Sequence, residues 1–320
     1  MKSLQSFAGC LAAVLCLSAA LAAILACPGG AKESADPIFD RLNREADAAI
    51  KKHNGELAKI KAEQMIERHP DSSRAFRQMA RAQEQLHNYK AALVAINKAI
   101  AMGKDMRRCL IIRAKIYVEN DQDNLARIDF RQVGKEEGQN ADYYCGIAFE
   151  LERLEDFEGA FVTLQRAMLV EPESGDVQKM VGRVLRELNR PAEAEEHLLN
   201  AIKLRGADDD ILTNLALVHQ ALKKPLAVIA DIDKVTADQN QRSEKLVDQY
   251  LLRARAYTSL GRYAKARRDY DRCIEIKPLQ RKLYQGRLEI SQKMGDKGAI
   301  ARDTAKIKSL DKSIQPFNGF

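Results

Sequence analysis

The side chains able to do chemistry are few and scattered in this chain of 320 residues. Its five histidines are His53, His69, His87, His197 and His219, and none belongs to the i, i+4 pair with an adjacent Glu by which a helix holds zinc. No glycine-rich phosphate loop and no GxSxG turn occurs. Paired carboxylates such as Glu195-Glu196 lie in charged runs that read as solvated helix faces. Of six cysteines, Cys10, Cys16 and Cys27 stand near the amino terminus, and Cys109, Cys145 and Cys273 stand in the body without a CxxC spacing. The body cysteines read as small apolar packing residues, with a Cys109–Cys145 disulfide left open for an oxidising compartment. The expectation is a protein that is not an enzyme, with no cofactor, no metal and no catalytic residue.

What remains is charge. Lys and Arg number 52 against 45 Asp and Glu, a net charge of +7. Residues 241–320 hold 19 of the basic and only 9 of the acidic side chains, concentrated in RRDYDR (267–272), KPLQRK (277–282) and the last helical stretch. This excess reads as solvated surface. A basic carboxy-terminal end resting on anionic membrane, with the chain as a structural spacer, is the alternative. The aromatics sit at apolar-periodic positions and not among the basic residues, which argues against nucleic acid as a partner.

The elements that position these charges follow one period. The stretch Val247–Gln280, VDQYLLRARAYTSLGRYAKARRDYDRCIEIKPLQ, places Tyr250, Tyr257, Tyr263 and Tyr270 as bulky residues, Ala254, Ala266 and Cys273 as small ones, and Gly261 and Pro278 as breaks. That is two amphipathic helices joined by a turn. The same order recurs every 34 residues, giving units 39–72, 73–106, 107–140, 141–174, 175–208, 209–242, 247–280 and 281–314. Position 8 is small in all but the last unit, where Leu288 stands, and position 20 is Ala in six units. Residues 243–246 fall out of phase and read as a longer loop, a lengthened helix or a hinge. The unit 281–314 reads as a capping repeat, the array as 39–310, and residues 311–320 as an irregular tail.

This pattern resembles the tetratricopeptide repeat. The resemblance implies an all-α, right-handed superhelical solenoid of about eight helix-turn-helix repeats, whose activity is to bind another protein in a concave groove. In that family the first helices line the groove through positions 2, 5, 9, 12 and 13. Carried onto this chain, position 2 is mostly acidic (Asp40, Asp142, Asp176, Asp210 and Asp248), which suits a helix amino end. Positions 5 and 9 present Arg77, Arg81, Lys115, Lys179, Arg183 and Arg255 against Asp47 and Glu289. The expected partner is therefore a protein or peptide segment of acidic character. The two-carboxylate clamp of chaperone-tail-binding repeats is not matched, because Asn214 alone sits at a suitable place.

Ahead of the array, Phe7 to Cys27 holds no charged residue and follows Lys2. It is long enough to span a bilayer, at about 20 residues. Ile24-Leu25-Ala26-Cys27 resembles the lipobox of bacterial lipoproteins, which makes Cys27 a lipidation candidate; cleavage after Ala20-Leu21-Ala22, or retention as an anchor, are the other two fates. Residues 1–26 are thus expected to be a signal or membrane-anchor segment and 27–38 a linker. All three fates export the array to a bacterial envelope, membrane-anchored or periplasmic, as exported tetratricopeptide-repeat lipoproteins are.

Overall fold

The computed structural model describes residues 36–237, 243–244 and 246–314. The leader with Cys27, residues 238–242 and residue 245 of the out-of-phase stretch lie outside the described residues. Among the described residues there are sixteen helices and no strand. They form two compact units, divided at Glu136.

Unit 1 contains α1 (Pro37–Lys51), α2 (Gly55–Arg68), α3 (Ser73–Gln85), α4 (Tyr89–Ala101), α5 (Met106–Glu119) and α6 (Asp123–Gly134). Unit 2 contains α7 (Ala141–Arg153), α8 (Phe157–Val170), α9 (Gly175–Glu187), α10 (Pro191–Arg205), α11 (Asp209–Ala221), α12 (Pro225–Val235), α13 (Leu246–Ser259), α14 (Tyr263–Ile276), α15 (Arg281–Met294) and α16 (Lys297–Ile314). Within each unit every helix packs on the next, and first helices of successive repeats also touch: α1 on α3, α3 on α5, α7 on α9, α9 on α11 and α11 on α13. The first helices thereby form an inner layer, and the second helices form the outer one.

Small residues let the paired helices approach. Ala46, Ala80, Ala114, Ala148, Ala216 and Ala254 at position 8 are all fully buried, as are the alanines at position 20. Gly182 is a position where even alanine does not fit, since a Cβ there would stand 2.6 Å from Leu198 Cγ. Large side chains such as Phe130, Leu164 and Leu198 fill the space beside them.

One backbone device repeats throughout. The residue at position 15 turns the first helix into the second, and at His53, His87, Asp121, Glu155, Asn189, Lys223, Gly261 and Gly295 its φ lies between 54° and 70°. This is left-handed backbone, at ease for glycine and costly for a side chain. His53 and His87 are thus turn residues.

The structure corrects or sharpens the sequence reading at four places. Helix α1 begins at Pro37, capped by Asp36, so the linker ends before residue 38. Helix α12 stops at Val235, with Thr236 as its cap, and α13 begins at Leu246, so the second helix of that repeat is not lengthened through the break in register. Helix α16 runs to Ile314, beyond the expected tail boundary at 311, because nothing in Asp-Lys-Ser-Ile stops a helix before Pro316 disfavours it. In the last repeat Leu288 at position 8 is accommodated half-buried, and a close approach of another kind occurs at Gly286, where a Cβ would clash with the Tyr270 ring of the preceding repeat.

Candidate functional site

The inner layer of unit 1 encloses an open cavity of about 430 Å³ between α1, α3 and α5. Arg74, Arg77, Arg81 and Arg108 face it, with Asn43, Asp47, Gln78 and the apolar Ile111 and Ile112. Two of the sequence-derived residues, Arg77 and Arg81, are here. Arg74 and Arg108 are additions, missed because position 2, acidic in five other repeats, was assigned to helix ends and not to the groove.

These guanidinium groups are already engaged. Arg74 pairs with Asp40 at 3.0 Å, and Arg81 pairs with Asp47, each pair joining the same position of adjacent repeats. Arg77, itself only 8% exposed, reaches Asp105 at 2.7 Å. Burial works against the charge on Asp105, but the bond from Arg77 and the neighbouring arginines hold its carboxyl below the usual range. Arg108 reaches the same carboxylate at 3.6 Å and stays 72% exposed at its side chain. Lys115 is exposed on α5.

Unit 2 shows the same habit. Lys179 pairs with Asp210 at 3.2 Å, and Arg183 pairs with Glu152 at 2.7 Å. Of the six basic residues assigned to the groove, Arg77, Arg81, Lys179 and Arg183 are therefore bound in ion pairs, which reduces the positive field expected of them. Arg255 is different. It is exposed and borders a cavity of about 350 Å³ with Lys223, Gln220 and Ser259 over Val228, Leu252 and Ala256. Lys224, at the same cavity, is held by Glu195 at 2.7 Å. Asn214 spends its amide on Asp210 and not on a ligand.

A second constellation escaped the sequence reading. Arg113, Arg253 and Arg287 occupy position 7, and each grips the aspartate at position 23 of its own repeat with two nitrogens: Asp129, Asp269 and Asp303. The third nitrogen reaches position 25 of the preceding repeat, Asn97, Asp233 or Asp271. The first repeat inverts the charges, with Glu45 and Lys61 at 2.8 Å. The signal was present as an Arg followed by Asp 16 residues later. It was hidden in RRDYDR, where Asp269 is buried and Asp271 pairs with Arg287, contrary to the solvated reading of that run.

His219 holds a third cluster. Its Nδ1 lies 2.6 Å from Asp231 Oδ2 and its Nε2 lies 3.1 Å from Glu195 Oε1. Burial lowers the imidazole's proton affinity, but the two carboxylates outweigh it and the pKa is raised. Cys109, Cys145 and Cys273 are free thiols, so the disulfide left open for Cys109 and Cys145 is not formed. Burial pushes Cys145 up to about 11 and Cys273 up to about 12, far from the activated thiolate of a nucleophile. Among the described residues no group of three His, Cys, Asp or Glu side chains could hold a metal ion.

Comparison with known proteins agrees with this architecture. The tetratricopeptide repeat family model matches residues 249–278, inside the clearest unit. The crystal structure of the C-terminal part of a repeat-containing protein from Cytophaga hutchinsonii is 18% identical with a TM-score of 0.59, covering 76% of this chain and 98% of that one. MamA from residue 41 to its end, from Desulfovibrio magneticus RS-1, is 18% identical with a TM-score of 0.50, over 56% and 98% of the two chains. A structure of Naa15/Naa10 bound to HypK-THB is 14% identical with a TM-score of 0.52, over 79% of this chain and 39% of that one. No curated protein matches the chain in sequence. At such identities the structural likeness speaks for the fold, a solenoid of the tetratricopeptide-repeat kind, and the matched repeat at residues 249–278 agrees with it.

Proposed function

We propose that this protein is an interaction scaffold of the cell envelope, which holds an acidic segment of another protein against the inner layer of first helices. The observation that carries the reading is the unit 1 cavity, where four arginines converge over two isoleucines. Guanidinium groups suit a carboxylate-rich ligand because they offer paired donors in a fixed plane. Their present partners, Asp40, Asp47 and Asp105, hold them extended toward the cavity, so a ligand meets side chains already ordered. Tethering to a membrane through the uncharged stretch Phe7–Cys27 completes the reading. Among the described residues no helix is long and apolar enough to cross a membrane, which leaves that stretch as the candidate anchor.

The test uses Arg108 and Lys115, whose exposure lets them be reversed without breaking a buried ion pair. In the full chain, Arg108→Glu with Lys115→Glu weakens binding of an Asp/Glu-rich peptide, followed by fluorescence anisotropy, by about tenfold or more. The helical circular dichroism signal and the melting temperature stay at the parent values. Equal affinity for acidic and basic peptides, or no effect of the reversal, rejects the acidic partner.

A further inference from the structure

The outer layer of unit 1 carries a surface that binding in the inner groove does not use. On α2, Leu57 and Ile60 are exposed at repeat positions 19 and 22. On α4 the same positions hold Ala91 and Val94, and on α6 they hold Leu125 and Ile128. Val94 is 60% exposed and Ile128 is 61% exposed. Residues three apart share one helix face, and the repeat period brings those faces side by side. Unit 1 thus presents exposed aliphatic side chains at matching positions of its three second helices, α2, α4 and α6, an aliphatic strip along its outer layer.

The strip is not a property of the repeat: the first repeat of unit 2 keeps only one such residue, the exposed Val162, beside Gly159. In the last four repeats of unit 2 the same two positions hold Glu193 and Glu196, Ala227 and Ala230, Lys265 and Arg268, and Ala299 and Arg302. A contiguous exposed apolar patch on a folded protein marks a contact surface.

The chain outside the described structure says what the contact is. It ends at Asp36, the cap of α1, and α1 packs directly on α2. Between the uncharged stretch Phe7–Cys27 and that cap lie residues 28–35, which span at most about 28 Å when fully extended. An anchor in the bilayer therefore keeps unit 1 within one domain's width of lipid. Helix α4, in the middle of the strip, contains Lys90 and Lys98 and no acidic residue, a charge pattern fitted to anionic headgroups beside an apolar contact.

We infer that the aliphatic strip Leu57, Ile60, Val94, Leu125 and Ile128 rests in the interface of an anionic lipid bilayer, fixing the outer face of unit 1 to the membrane and turning its inner groove away from it. The inference rests on the anchoring part of the proposed function. It makes the amino-terminal unit the membrane-facing one, where charge alone points to the carboxy-terminal end.

The chain contains no tryptophan, so a single one reports its surroundings. Full-length chain carrying Val94→Trp is mixed with vesicles of phosphatidylcholine and phosphatidylglycerol whose acyl chains are brominated, and Ala230→Trp marks the same position in unit 2. The expected result is a blue shift and loss of most emission for Val94→Trp, with emission at the water-exposed wavelength retained for Ala230→Trp. Adding Ile60→Asp and Ile128→Asp restores the Val94→Trp emission while the chain still floats with the vesicles. A chain that floats but keeps Val94→Trp unquenched overturns the strip's assignment and leaves the anchor standing. A blue shift that grows with protein concentration in the absence of lipid assigns the strip to a second copy and overturns it as well. A chain that does not float at all removes the anchor and the strip together.

Discussion

Arg253 on α13 holds Asp269 on α14 through two bonds, Nε to Oδ2 at 3.1 Å and Nη2 to Oδ1 at 2.7 Å, while its remaining terminal nitrogen reaches Asp233 on α12 at 2.7 Å. Asp269 is 4% exposed. Burial opposes the arginine's charge, but its bonds to the two aspartates more than offset this and raise its pKa. Removing one partner of such a pair strands the other. Asp269→Ala should cost about 2–4 kcal/mol, and replacing both Arg253 and Asp269 by leucine should recover most of it. Thermal melts of the two variants decide the matter; a double variant no better than the single one would show that the pair itself is needed.

The left-handed turn at position 15 gives a prediction of opposite sign. Glu155 and Lys223 adopt φ of 57° with a side chain that this conformation disfavours. Glu155→Gly and Lys223→Gly should each stabilise by about 0.5–1 kcal/mol, and Gly261→Ala should destabilise by a similar amount. Denaturant midpoints measured in parallel check all three.

Gly182 tests the close approach of paired helices. A methyl group there meets Leu198 Cγ at 2.6 Å and the Ala194 carbonyl oxygen at 3.2 Å. Gly182→Ala should lower stability by about 1–3 kcal/mol through overpacking. Leu198→Ala added to it should restore part of the loss, although Leu198→Ala alone is destabilising, and a double-mutant cycle reads that sign.

His219 makes stability depend on pH. Its imidazolium faces Asp231 from α12 and Glu195 from α10, with Lys224 bound to the same Glu195. Glu195 is held below the usual carboxylate range, first by its bond from Lys224 and then by His219. Because the folded pKa of His219 is raised above its ordinary value of 6.5, its contribution is complete below that value. It is lost as pH rises through the raised folded value. Melting temperatures across that window should fall in the parent protein, and His219→Gln should flatten this part of the profile; an unchanged slope would sink the assignment.

The inner face was legible in the sequence to the extent that packing dictates it. Ala80 and Ala114 repeat because helices cross there, and that constraint acts on each residue separately. Partner choice was not legible. Arg77 and Lys115 both occupied groove positions, yet one is nearly buried against Asp105 and the other is exposed, because the left-handed Asp105 turns its carboxylate toward α3. Asp269 was hidden for a related reason. Its burial depends on Arg253, 16 residues away, and a run of charges such as RRDYDR gives no local hint of which member points inward. Gly286 was equally silent, since only the approach of the Tyr270 ring explains it.

The arginines at position 7 also determine how the array comes apart. In a stack of repeats, stability divides into what each repeat holds within itself and what it shares with its neighbour. Arg253 and Arg287 put the same guanidinium into both parts, since each closes its own hairpin and grasps the helix before it. The last three repeats are thereby chained through Asp233, Arg253 and Asp269 and then through Asp271, Arg287 and Asp303. Loss of the final hairpin frees a carboxylate on the one before, so α12 to α16 should exchange their amide hydrogens as a single cooperative block and not fray helix by helix.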